Sequence, residues 1–145
     1  MATFLLKTEP GEYAFADLVR DRRTAWTGVS NPAARIHLRS MKKGDEAFIY
    51  HTGDERAVVG VARIASAPRE DPNRPGLNDR GEIAFPVVDI EPIGAAPTPV
   101  TLAALKTDAR FAEFALIRQS RLSVMPVPAV LEGVLRKMAG LGRKG

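Results

Sequence analysis

Two apolar runs around a tight turn constrain this chain most. Ala47-Phe48-Ile49-Tyr50-His51 and Ala57-Val58-Val59-Gly60-Val61-Ala62-Arg63-Ile64 flank Gly53-Asp54, which reads as a β-hairpin rich in β-branched and aromatic residues. A lone hairpin is marginal in water, so other elements must cover its apolar face. Phe4-Leu5-Leu6 reads as a strand closed by the Pro10-Gly11 turn. Phe85 to Ile90 reads as a strand whose Pro86 points to an edge or a bulge, and Leu122 to Val127 alternates weakly as another. Helical spacing covers Tyr13 to Arg20, with Ala14, Phe15 and Leu18 on one face. Asn31-Pro32 starts a helix that runs through Leu38 and Met41 and stops at Lys42-Lys43-Gly44-Asp45. Trp26 lies in the Gly28-containing loop before it.

The second half adds shorter pieces. Asp71 to Arg80 is polar, contains Pro and Gly, and reads as a mobile loop. Thr101 caps a short helix through Lys106, a second helical stretch covers Arg110 to Leu116, and Pro128 to Leu141 closes the chain as an amphipathic helix with Val130, Val134, Leu135 and Met138 inward. Five or so strands joined by hairpins rather than regular βαβ units predict an α+β fold. It is built on a small curled sheet or barrel.

Composition narrows the chemistry. With 145 residues and 45% apolar side chains, one domain can bury a core without metal or disulfide staples. The absence of cysteine excludes disulfides, thiolate metal sites and a cysteine nucleophile, and His37 and His51 alone make a poor zinc set. No apolar run approaches a membrane span, and the start MATFLLKTEPGE lacks the form of a secretory signal. The expectation is a soluble, cytoplasmic protein without metal or cofactor, acting as a monomer.

Charge is uneven along the chain: +3 over residues 1–45, −4 over 46–109 and +5 over 110–145, with arginine supplying 15 of 21 basic residues. The planar guanidinium fork suits phosphates and base edges, so basic ends are compatible with nucleic acid and equally with a solvated surface. No G-x-S-x-G, H-E-x-x-H, P-loop or G-x-G-x-x-G occurs, so the usual support for hydrolysis, nucleotide triphosphate use or dinucleotide binding is missing.

Polar and aromatic residues at strand ends remain. Trp26, the single tryptophan, either plugs the core or offers a stacking wall. Asn31 is an N-cap that can also present its second polar atom to a ligand. Lys7-Thr8-Glu9 and Tyr50-His51-Thr52 each cluster polar side chains at a strand end, and Ser123 places a hydroxyl between Leu122 and Val124. A lone histidine such as His51 is a weak metal or catalytic candidate.

In order, these stretches resemble the EVE domain, a PUA-like relative of the YTH domain. Lys7-Thr8-Glu9-Pro10 stands at the family's Lys-Ser-Glu-Pro turn. Trp26-Thr27-Gly28-Val29-Ser30-Asn31, Ala34-Arg35 and Met41-Lys42-Lys43-Gly44-Asp45 follow its Trp-x-Gly-Val-Arg-Asn, Ala-Arg and Met-Lys-x-Gly-Asp motifs. Tyr50-His51-Thr52, Gly60-Val61-Ala62, Asp71-Pro72 and Leu122-Ser123-Val124-Met125-Pro126 match later ones. The likeness runs from Phe4 to about Leu141, with residues 1–142 as the domain and 143–145 as a tail. Three positions depart from the pattern: Ser30 replaces an arginine, while Phe85 and Phe4 stand where tryptophan is common.

The resemblance implies a single-domain PUA-like α+β fold, a small, mostly antiparallel β pseudo-barrel flanked by helices. It also implies a non-catalytic module that reads a modified, everted base, with modified cytosine in DNA as the leading ligand. Trp26 would form the wall, beside Val29 and Ser30. Lys7, Thr8, Glu9, Asn31, Tyr50, His51 and Thr52 would meet the base edge, with Ser123 and Asp71 behind them. Arg35, Arg39, Lys42, Lys43 and Arg121 would meet phosphates. Alternatives are a binder of modified or structured RNA, an enzyme on a nucleotide or small metabolite using Glu9, Asp71 or His51 as acid/base, and a protein-interaction domain.

Overall fold

The hairpin read from the sequence forms the middle of one curled sheet in the computed structural model, which describes residues 1–142. Strand β3 (Glu46–His51) is buried along its length, as its run of apolar residues requires, and pairs antiparallel with β4 (Ala57–Ile64). On its other side β3 pairs in parallel with β1 (Thr3–Thr8), in register Thr3 to Glu46 and Thr8 to His51. The remaining strands are β2 (Thr24–Trp26), β5 (Arg69–Glu70), β6 (Pro86–Thr101) and β7 (Val124–Pro126). The order is β2-β6-β4-β3-β1-β7, with β5 added to the start of β6. All pairings except β1–β3 are antiparallel.

Helices α1 (Phe15–Asp21), α2 (Pro32–Ser40), α3 (Leu102–Lys106), α4 (Ala115–Arg118) and α5 (Ala129–Ala139) cover the sheet. Leu18, Leu38, Leu105 and Leu135 bury one apolar stripe each into a core with Leu5, Phe48, Val58 and Ile90. Caps agree with local sequence. Asn31 Oδ1 accepts from the Ala34 N–H at 3.1 Å, and Thr101 Oγ1 from the Ala104 N–H at 3.1 Å. Gly60 lets the Phe15 ring lie against β4, because a Cβ there would stand 2.7 Å from ring carbons.

Several expectations change. The described residues form seven strands, and β6 continues eleven residues beyond Ile90 through Pro92, Pro97 and Pro99. Its register against β4 slips twice: Gly94 and Pro92 face successive residues Val61 and Ala62, and Ala95 and Val100 face Gly60 and Val58. Pro97 and Pro99 lie inside the second slip, where no ladder amide is required. Pro86 faces Glu70 of β5, and β6 is an interior strand rather than an edge. Arg110 to Leu116 splits into a 3-10 turn, Ala109–Phe111, and α4. In α5 Leu135 faces inward as expected and Val134 and Met138 pack half-buried against the core, whereas Val130 is 79% exposed and Leu131 and Ala139 complete the inward face. Trp26 ends a strand instead of sitting in a loop. The Asp71–Arg80 segment is built from tight turns, with a bridge between Asp71 and Arg74 and the Asn78 side chain accepting from the Arg80 and Glu82 amides. The expected tail, 143–145, lies outside the described residues.

Candidate functional site

Because β1 and β3 run parallel, their C-terminal ends emerge on the same side of the sheet. Lys7-Thr8-Glu9 therefore meets the end of β2 and the segment before β7. Together they enclose a cleft of about 430 Å³. Trp26 forms one wall, 9% exposed, with the Tyr13 ring edge-on at 6.4 Å and 79°. Thr27, Gly28, Val29 and Ser30 continue that wall, and Ser123 lines the cleft beside β1, its carbonyl oxygen accepting from the Lys7 N–H at 2.9 Å. Gly28 turns with φ of 79°, a conformation that side chains other than glycine adopt at a cost.

The polar groups of the cleft differ in how far they are engaged. Lys7 Nζ donates to the Ser120 carbonyl oxygen at 2.9 Å and stands 5.9 Å from the Tyr50 ring centre. Burial lowers its pKa below the ordinary lysine value. Thr8 Oγ1 donates to the Tyr13 carbonyl oxygen at 2.6 Å, while Glu9 Oε2 accepts from Thr52 Oγ1 at 3.1 Å. Ser123 Oγ has no hydrogen-bond partner among the described residues and faces the cleft half-buried. Burial raises the Tyr13 phenol above its ordinary value; a hydrogen bond with Thr24 opposes this, and Asp21 adds to it.

Of the residues expected at a base, Lys7, Thr8, Glu9, Trp26, Val29, Ser30 and Ser123 come together here. Glu12, Tyr13, Thr24, Ala25, Thr27 and Gly28 join them without having been singled out. Tyr13 was legible only as a helix residue, although the Pro10-Gly11 turn folds it back beside Thr8. Asn31, Tyr50, His51, Thr52 and Asp71 do not line the cleft. The Tyr50 side chain is core. His51 is buried, with Nδ1 2.7 Å from Glu55 Oε1 and Nε2 accepting from the Phe15 N–H at 3.0 Å. Both ring nitrogens are thus committed, and Nδ1 carries the proton. Asp71 is buried and ties its own turn, accepting from the Asn73 N–H at 2.8 Å and pairing with Arg74 at 3.3 Å.

The five expected phosphate contacts scatter. Arg35 Nη1 and Arg39 Nη2 each donate to the Ala84 carbonyl oxygen at 3.0 Å, and Arg35 also stacks 4.6 Å from the Phe85 ring centre. Lys42 and Lys43 are exposed but precede β3, so the length of that strand, roughly 16 Å at about 3.3 Å per residue, separates them from the cleft end. Arg121 is different. It lines a groove of about 320 Å³ with Asn31, Arg118 and Ser120, whose carbonyl holds Lys7 of the cleft. Among the described residues no three His, Asp or Glu side chains are grouped to hold a metal, and no helix is long and apolar enough to cross a membrane.

Known proteins share this architecture. The chain is 26% identical to thymocyte nuclear protein 1 of Gallus gallus over 152 residues, covering 86% of this chain and 63% of the chicken protein, so it spans less than two thirds of that relative. The solved structure of Rpa0253 from Rhodopseudomonas palustris is 38% identical, with a TM-score of 0.87 over 99% of this chain and 97% of that one. The human THYN1 protein in complex with 5-methylcytosine containing DNA aligns with a TM-score of 0.85 at 23% identity, over 99% of this chain and all of that one. The curled mixed sheet and its five helices are the PUA-like α+β fold of these structures. With the EVE domain family model matching residues 2–136, the chain belongs to the EVE domain family.

Proposed function

We propose that this chain is a non-catalytic nucleic-acid-binding module that takes a modified base, a modified cytosine in DNA, everted into the cleft beside Trp26. The cleft itself carries the reading: about 430 Å³ falls in the range of small-ligand pockets, and it combines an aromatic wall with polar groups. The Trp26 ring would stack on the base, an interaction of about 1–3 kcal/mol. Ser123 Oγ and the Thr8–Glu9 strand end would meet its polar edge. Arg121 and Arg118, in the adjoining groove, would meet the flanking phosphates. The human relative seen with 5-methylcytosine containing DNA supports the ligand class. Acid/base catalysis by His51 is disfavoured by the commitment of both its nitrogens.

Short DNA oligonucleotides carrying cytosine, 5-methylcytosine or 5-hydroxymethylcytosine, with their RNA counterparts, test this at one fixed salt concentration. The expected result is a preference for a modified DNA base. Trp26→Ala should abolish it, and Ser123→Ala, which breaks no bond within the protein, should weaken it by about 0.5–1.5 kcal/mol. Equal binding of all oligonucleotides, unchanged in a folded Ser123→Ala protein, would overturn it. A preference for the RNA series would transfer the same cleft to RNA.

A further inference from the structure

One side chain outside the cleft holds its wall. Arg74, in the turn after Asp71, donates from Nη1 to Ser30 Oγ at 2.9 Å and from Nη2 to the Val29 carbonyl oxygen at 3.4 Å. Its Nε lies 3.3 Å from Asp71 Oδ2, and its guanidinium carbon stands 4.2 Å from the Phe85 ring centre. A planar group held at three edges and one face has little rotational freedom left. Its partner Asp71 is itself fixed by the Asn73 amide and almost fully buried.

The wall, by contrast, has no other polar support. Among the described residues, the two bonds from Arg74 are the only hydrogen bonds made by residues 27–30. Thr27, Gly28 and Ser30 are exposed, and nothing lies within 4 Å of where a Gly28 Cβ would be. Val29 and Ser30 line the cleft and Arg74 does not.

We infer that Arg74 is a positioning residue, whose guanidinium fixes the Thr27–Ser30 wall against Trp26 and thereby sets how tightly the cleft grips a base. The grip rests on the base-binding reading above; the tether does not. Lysine cannot replace it, because one ammonium lacks both the parallel donors for Ser30 and Val29 and the flat face for Phe85.

Trp26, the sole tryptophan, reports on the wall directly. Acrylamide quenching of its fluorescence in the free protein is measured beside affinity for 5-methylcytosine and unmodified DNA oligonucleotides. Arg74→Ala should raise the quenching constant and weaken the modified oligonucleotide about tenfold, leaving the unmodified one and the salt dependence unchanged. Arg74→Lys should behave like Arg74→Ala. Ser30→Ala, which removes an exposed hydroxyl and keeps the Asp71 pair, should give a smaller rise in quenching and none further in the Arg74→Ala background; it carries the test if Arg74→Ala does not fold. Unaltered quenching in the variants would overturn the proposal, as would full retention by Arg74→Lys. A loss accompanied by a log–log salt slope reduced by about 0.7–0.9 would show a phosphate contact instead, and overturn it too. If the wild-type protein does not discriminate bases, the base-binding reading fails, and quenching still decides whether Arg74 holds the wall.

Discussion

Nε2 of His51 accepts the backbone N–H of Phe15 at 3.0 Å, so a strand end caps the first turn of a helix 36 residues away in sequence. The first amides of a helix lack partners within it, and this one is buried. His51→Ala should therefore cost about 1–3 kcal/mol in chemical denaturation. His51→Gln, which can offer an amide oxygen in the same place, should lose less. Folded His51→Gln should bind oligonucleotides as the wild type does; a selective loss of modified-base binding would return His51 to the ligand.

The position of the basic residues makes a second expectation. If Arg118 and Arg121 meet phosphates, replacing each by Gln should lower the log–log salt slope of binding by about 0.7–0.9. Lys42→Gln and Lys43→Gln, at the far end of β3, should leave it unchanged. A slope that responds to the lysines alone would place the strand across the other end of the sheet.

Asp89 gives a pH expectation with a defined sign. Partial burial pushes its carboxyl up, but hydrogen bonds from Arg69 (2.7 Å) and Arg23 (2.9 Å) outweigh this and hold it below the ordinary value of 3.8. A carboxyl lowered on folding stabilises the protein above its unfolded pKa and loses that contribution as the pH falls through the folded one. Asp89→Asn should thus cost about 1 kcal/mol near neutral pH, since both arginines are half exposed. The gap between variant and wild type should close below pH 3.8. A gap independent of pH would mean that Asp89 acts through shape rather than charge.

What the sequence disclosed follows the range of the forces involved. The hairpin around Gly53, the Asn31-Pro32 start and the Thr101 cap depend on neighbours within a few residues, and each forms where expected. The far half of β6 was hidden because Pro92, Pro97 and Pro99 read as breakers until the β4 register slips are seen. Arg35 and Arg39 looked like free cations because nothing local shows that the Ala84 carbonyl lies across from them. Arg74 carried no motif at all. Yet Ser30 and Phe85, two of the positions expected to differ from the motifs the sequence resembles, both touch Arg74, so that pairing was the one available signal.

Glu46 and Arg136 form an ion pair across 90 residues, joining the start of β3 to α5 with side chains 11% and 8% exposed. Glu132 Oε2 lies 3.3 Å from Arg136 Nε, and the Phe48 ring centre is 5.7 Å from its guanidinium. Desolvating such charges costs several kcal/mol each, which their attraction offsets only while both are present. Arg136→Met alone strands the Glu46 carboxylate and should destabilise by about 3–5 kcal/mol. Adding Glu46→Leu removes that carboxylate and should recover most of that loss, with an unchanged urea m-value. Equal destabilisation in the single and double variants would mean that α5 is held by Leu131, Leu135 and Ala139 packing and that the pair is energetically idle. Since α5 lines no part of the cleft, folded protein of either variant should keep its oligonucleotide preference.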